Sequence, residues 1–394
     1  MDRSRKRVAL LAGCQALLLA NNSVLISVNA LAGYALASNK ALATLPVTAY
    51  FVGSAVSALP FSLLMKRYGR RAGFGAGAVC AMVGALLCAL AVYTRTFWLL
   101  CLGTLVLGGY FAAGQFYRFA AAEAVPAQFK ATAISLVLAG GIIGGFLGPE
   151  TAKFTRDLIE GHVFAGAYFS LIAFALASLL IQRWLDLPPL SAADSRAAGR
   201  PVLEIARQPA FIVAVLCGVV SYGVMNLLMT ATPLAMAACQ HPFSAAAFVI
   251  QWHMVAMFAP SFVTGPLIQR VGALPVIFAG TLLACACIAV ALAGIDVMHF
   301  WLALVLVGVA WNFMYLGATT LLTETHAPAE RGKVQGVNDT AISLTMVMSS
   351  LSVGALFSYH GWQMMNVLAA PLIVICAIAV MWLAIARRVR PRPA

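Results

Sequence analysis

Charged residues make up only 9% of this 394-residue chain, and acids are the rarer sign, with 12 Asp and Glu against 25 Lys and Arg. A soluble domain ordinarily carries about a quarter of its residues as charges, so a water-facing surface is excluded for most of the chain. The short apolar and polar alternation of an outer-membrane barrel is missing as well. The nine cysteines do not form a disulfide framework, since all but Cys239 lie inside apolar runs. Cys285 and Cys287 point to nearly opposite sides of a helix and do not grip one ion together. Paired carboxylates, a nucleophile with its base, and a Gly-rich phosphate loop are all lacking, so the chain does not read as an enzyme. It implies no prosthetic group. Basic residues are scattered over short segments rather than gathered on a soluble face, which excludes nucleic acid as a partner.

What the chain has instead is length in its apolar runs, with 62% of residues hydrophobic. Runs near 20 residues cross the roughly 30 Å hydrocarbon core as helices. Twelve such spans begin near residues 8, 43, 73, 97, 131, 163, 209, 244, 273, 299, 334 and 362. The chain therefore reads as an all-α integral membrane protein. The first run continues past Asn21, Asn22 and Asn29 to about Tyr34, too long for a signal-peptide core, and is expected to be retained. Assigning loops alternately to the two faces leaves only Lys40, Arg95, Lys153 and Arg156 on one side and every other Lys and Arg on the opposite side. The positive-inside rule then places both termini in the cytoplasm. The lipid bilayer is a partner by construction, and the chain reads as a monomer of the bacterial inner membrane.

An internal repeat organises the spans. LLMKRYGRR follows the second span and PLIQRVGAL the eighth, and aligning Gly69 with Gly272 also aligns Leu64 with Leu267 and Arg67 with Arg270, an offset of 203 residues. Glu123 with Pro126 after the fourth span is echoed by Glu324 with Pro328 after the tenth. Residues 1–185 and 209–394 are thus two six-helix halves. The polar linker between them, residues 186–208, opens with DLPPLSAADSRAAGRP and is long enough to let the halves move separately.

Parallel six-helix halves are the plan of the major facilitator transporters, and the Lys66 to Arg71 loop resembles that family's GxLxDRxGRR signature through Arg67, Gly69, Arg70 and Arg71. The signature's acid, which the resemblance implies would lock neighbouring helix ends, is replaced by Lys66 and in the second half by Gln269. A cation-rich loop that latches through other partners is one expectation. The other is a loop that only sets topology and makes a tight turn.

Two pairs of side chains point to cargo. Met225 and Met229 stand four apart in the seventh span, and His253 and Met257 four apart in the eighth. Residues i and i+4 share one helix face. Thioether sulfur with imidazole nitrogen suits copper(I) rather than magnesium, calcium or manganese, which prefer oxygen. With 15 Met and 6 His in the chain, chance spacing supplies on the order of half an MxxxM and a quarter of an HxxxM. Both on consecutive spans is a rarer coincidence. Measured from an outer loop at residues 239–243, Met229 and His253 each lie about 15 Å deep, near the midplane. This pattern resembles the CcoA-like copper importers, a bacterial branch of the same superfamily. The resemblance implies that Met225, Met229, His253 and Met257 hold copper as transported substrate, imported by alternating access for cytochrome oxidase assembly. The alternative for the methionines is packing between helices.

Asn21, Asn22, Asn29, Tyr50, Gln115, Tyr117, Gln251 and Asn312 are further polar residues within spans, suited either to a solute path or to interhelical hydrogen bonding. The acids, including Glu150, Asp296 and Asp339, fall in loops or at span ends. That inventory contains no carboxylate proton relay and leaves His253 as the titrating group. GGIIGGFLGPE, residues 140–150, is similar to the Gly and Pro motif of antiporter exporters. It keeps open a proton-linked transporter, exporter or importer, of small organic compounds. A transporter-like receptor is the third possibility, against which the short linker and tail count.

Overall fold

The computed structural model describes residues 3–39, 42, 45–187 and 199–389. Lys40, Arg196, Arg390, Arg392 and residues 188–198 of the linker lie outside the described residues. Backbone groups in lipid must find partners within their own segment, and every described span is accordingly a helix. Among the described residues, eleven helices are long and apolar enough to cross a bilayer. The remaining expected span, the eleventh in chain order, corresponds to residues 331–360, one arm of a helix running Arg331–Val389 and bent at Gly361, where φ is +69°. Gln335, Asn338, Asp339 and Ser343 make that arm the most polar of the set.

Numbering spans in chain order, spans 1 to 6 run over Arg3–Leu36, Leu45–Tyr68, Arg70–Tyr93, Phe97–Glu123, Ala127–Thr155 and Ala165–Arg183. Spans 7 to 10 cover Pro209–Ala238, Phe248–Val271, Ala273–Ala293 and Val297–Leu322, and span 12 covers Gly361–Arg388. Leucine, valine and isoleucine side chains exposed along these helices, such as Val56, Val83, Leu180 and Ile385, are the surface a bilayer would cover.

The chain divides into two compact units. Unit one holds residues 1–127, 136–199 and 328–344, and unit two holds 128–135, 200–327 and 345–394. These units follow the sequence halves except for two segments at equivalent places in the repeat, the starts of span 5 and of helix 331–360, each of which clusters with the other half. Within unit one, span 4 packs on spans 2 and 3, and within unit two, span 10 packs on spans 7, 8 and 9.

The repeat alignment has a backbone counterpart. Gly69 joins spans 2 and 3 at φ 88°, ψ 161°, and Gly272 joins spans 8 and 9 at φ 89°, ψ 166°. That region is open essentially to glycine alone, so both halves make the same abrupt turn with the same residue.

Candidate functional site

The GRR loop sends one of its cations inward. Gly69 turns the chain so that Arg70, the first residue of span 3, is buried, whereas Arg67 lies over the Tyr68 ring and Arg71 is exposed. Arg70 donates to both oxygens of Glu123, from Nη2 at 2.6 Å and Nε at 3.2 Å, and to Gln335 Oε1 at 2.5 Å. Arg331 Nη1 meets Glu123 Oε2 at 2.8 Å. Glu123 thus sits between two guanidinium groups at the end of span 4. The cation-rich loop thus has an anion in a neighbouring helix. Lys66, half-buried, stands beside Gly332, while Ser62 Oγ donates to the Gly332 carbonyl at 2.6 Å.

A second charged layer lies deeper. Span 4 is interrupted by a turn at Gln115–Phe116. Arg118 Nη1 takes the Gln115 carbonyl and the Gln115 Oε1, both at 2.8 Å. Arg118 Nη2 pairs with Asp339 Oδ1 at 2.5 Å, and Asn338 Nδ2 donates to the same oxygen at 2.8 Å. Arg118 and Asp339 are 1% and 3% exposed, which makes this a fully desolvated ion pair. The acid inventory put Asp339 at a span end. The structure corrects this, because Asp339 stands eight residues, about two turns, inside helix 331–360 and faces a buried cation. The available signal was an Asn-Asp pair in the body of a helical segment, where an ionisable group is a functional candidate by default.

The four proposed metal donors all lie in unit two, and span 10 organises them. Span 8 breaks at Ala259–Pro260, since proline has no N–H for the ladder. The Met257 carbonyl accepts from Asn312 Nδ2 at 2.7 Å, while Asn312 also binds Ser261 Oγ and Thr264 Oγ1, each at 2.7 Å. Gly308 lets span 10 approach closely: an added Cβ would meet the His253 carbonyl at 3.0 Å and the Met257 amide at 3.1 Å. His253 is fully buried with Nδ1 at 2.8 Å from the Leu304 carbonyl. A carbonyl only accepts, so Nδ1 carries the proton and Nε2 carries the lone pair. Nε2 is buried and makes no hydrogen bond among the described residues. Met225 and Met257 are buried and Met229 is half-buried. Spans 7 and 8 each lean mainly on span 10 and touch one another far less, so the two pairs belong to helices joined chiefly through a third.

Next to these residues lies a group of four rings. Trp311 stacks on Tyr315 with centroids 5.0 Å apart and 23° between planes, and Tyr222 and Phe258 meet Trp311 edge-on at 5.3 and 5.7 Å. Asn226 donates to Ser349 at 3.2 Å and Ser350 at 3.0 Å. In unit one, Tyr168 donates to Asn29 at 2.8 Å, Asn21 to the Leu171 carbonyl at 3.1 Å, and Gln182 to Tyr117 at 3.2 Å. Several of the polar span residues are therefore occupied in joining helices. Among the described residues, no three His, Cys, Asp or Glu side chains gather as a metal cluster.

Membrane-spanning helices with the same glycine turn after spans 2 and 8, and a buried cation from the GRR loop on an acid, fit a membrane transporter of the two-repeat kind. The chain belongs to the Major Facilitator Superfamily, whose profile matches residues 11–248 and 214–394. Among curated relatives, it is 40% identical over 375 residues to the riboflavin transporter RfnT of Brucella anthropi, covering 94% of both chains. It is 28% identical over 373 residues to the uncharacterized transporter YdeG of Bacillus subtilis, covering 91% of this chain and 87% of that one. Of solved structures, a double Trp mutant of XylE matches with a TM-score of 0.82 at 15% identity, over 95% of this chain and 94% of that one. A single-residue variant of the E. coli fucose:proton symporter FucP matches at 0.78 and 17%, over 95% and 98%. At such identities the solved structures speak for the fold alone.

Proposed function

We propose that this chain moves riboflavin, or a closely related flavin, across the bacterial inner membrane by alternating access, with both termini in the cytoplasm. The observation that carries the reading is 40% identity to a riboflavin transporter along nearly the whole of both chains. It favours the small-organic-compound expectation over copper import. The chemistry of the interior agrees with a flavin. Tyr222, Phe258, Trp311 and Tyr315 offer aromatic faces and edges to a planar heteroaromatic ring. Asn226 with Ser349 and Ser350 offers the donors and acceptors that a polyol chain needs. Trp311 Nε1 is buried with no hydrogen-bond acceptor among the described residues, a donor available to a carbonyl-bearing cargo.

One observation favours a second reading. His253 holds its Nδ1 proton on a backbone carbonyl and presents an unprotonated Nε2, the orientation in which histidines bind metals. Copper(I) on His253 with Met257, Met225 and Met229 is the cargo in that case. Expression in a riboflavin-requiring bacterium stripped of its own importer separates the two. The flavin reading expects growth at lower external riboflavin and no change in cell copper. Raised copper content with an unchanged riboflavin requirement supports the second.

A further inference from the structure

Asp339 uses its two carboxylate oxygens unequally. Oδ1 accepts from Arg118 at 2.5 Å and from Asn338 at 2.8 Å, while Oδ2 is buried and accepts nothing among the described residues. A buried carboxylate oxygen without a donor is unfavourable, and a proton is the smallest species that relieves it. A proton arriving at Oδ2 leaves both bonds at Oδ1 geometrically intact. It removes the charge on which the strength of the Arg118 contact depends. Arg118 is provided for in that event, because Nη1 already holds the Gln115 carbonyl and Oε1 and its guanidinium lies 4.4 Å from the Phe119 ring centroid.

The surroundings isolate this one carboxylate. The charged groups acting on it are Arg118 from span 4 and Arg70 from span 3. Arg70 is itself engaged by Glu123 and Gln335, and Glu123 also holds Arg331. From span 2 the contacts to helix 331–344 are made by hydroxyls, Ser54 to Ser343 and Ser62 to Gly332, with Lys66 beside Gly332 at the start of that helix. Residues 328–344 cluster with unit one although they belong in sequence to the second half, and the Arg118–Asp339 pair is their innermost charged tie.

We infer that Asp339 is the proton-carrying group of the transport cycle. Ionised, it holds the first turns of helix 331–360 to span 4 through Arg118. A proton from water adds to Oδ2, the carboxylate becomes a neutral acid, Arg118 keeps its own charge on Gln115, and the tie slackens. Return of the proton to water on the other side restores it. The inference rests on the chain being a transporter and not on flavin being its cargo.

Two measurements test it on the full chain. In liposomes with riboflavin as probe, Asp339→Asn is expected to lose accumulation driven by an imposed pH gradient while keeping exchange of labelled for unlabelled riboflavin. In infrared spectra of the purified protein, a protonated-carboxyl C=O band that titrates in the parent is expected to vanish in the same variant. Gradient-driven accumulation that survives in Asp339→Asn, or an unchanged infrared titration, overturns the proposal. If Asp339→Asn does not fold, Asp339→Glu takes its place. It must then keep gradient-driven accumulation and show the C=O band at a shifted frequency, and absence of either counts against Asp339. A parent that moves no riboflavin defeats the flavin reading, and the infrared result still decides the proton site.

Discussion

A single glycine at each of two turns fixes how the spans follow one another. Gly69 and Gly272 hold φ at +88° and +89° with extended ψ, where any Cβ is strained. Replacing either with alanine is expected to cost about 1–3 kcal/mol, read as a lower thermal midpoint in detergent, with Gly69→Ala also displacing Arg70 from Glu123. No loss of stability in either variant would show that the turn tolerates a side chain. These two positions were legible in the sequence, because the repeat aligns them without reference to the fold. Asp339 was not. Counting residues from a loop placed it near a helix end, and only the position of the buried Arg118 on span 4 shows that its surroundings are those of a buried group. His253 lies between these cases: its depth followed from counting, but the Leu304 carbonyl that sets its tautomer belongs to a helix 51 residues away.

At the scale of helices, the i, i+4 spacing of Met225 with Met229 and of His253 with Met257 states which residues share a face. It does not state which helix that face meets. Span 10 proves to be the common neighbour, brought close by Gly308 and held by Asn312 on the Met257 carbonyl. Membrane helices gain little from burying apolar surface against one another, so close approach at small residues decides which pairs form. Gly308→Val places atoms where the His253 and Met257 backbone already stands. The expected result is a loss of about 1–3 kcal/mol in stability, as for overpacked cores, together with loss of transport. A variant as stable and active as the parent would mean that spans 8 and 10 are not in tight contact during the cycle. Helix number was readable from the apolar runs, including the span that begins near residue 334, although the polar side chains of residues 331–360 make its apolar signal the weaker one.

For the whole molecule, the sequence supplied membrane class and superfamily, each a property of long stretches. Cargo depends on a few side chains, and there the donor chemistry of methionine and histidine led to copper where full-length similarity leads to a flavin. Orientation rests on all but four of the basic residues falling on one face. A fluorescent protein fused to the C-terminus is expected to mature in the cytoplasm, and a dark fusion beside an active periplasmic reporter would reverse the topology. The account turns on what crosses the membrane, and the most direct test is purified protein in liposomes preloaded with unlabelled riboflavin. Labelled riboflavin added outside is predicted to accumulate by exchange and to be displaced by excess unlabelled flavin. Liposomes that take up no labelled riboflavin, while labelled copper enters them in a protein-dependent way, would contradict the account.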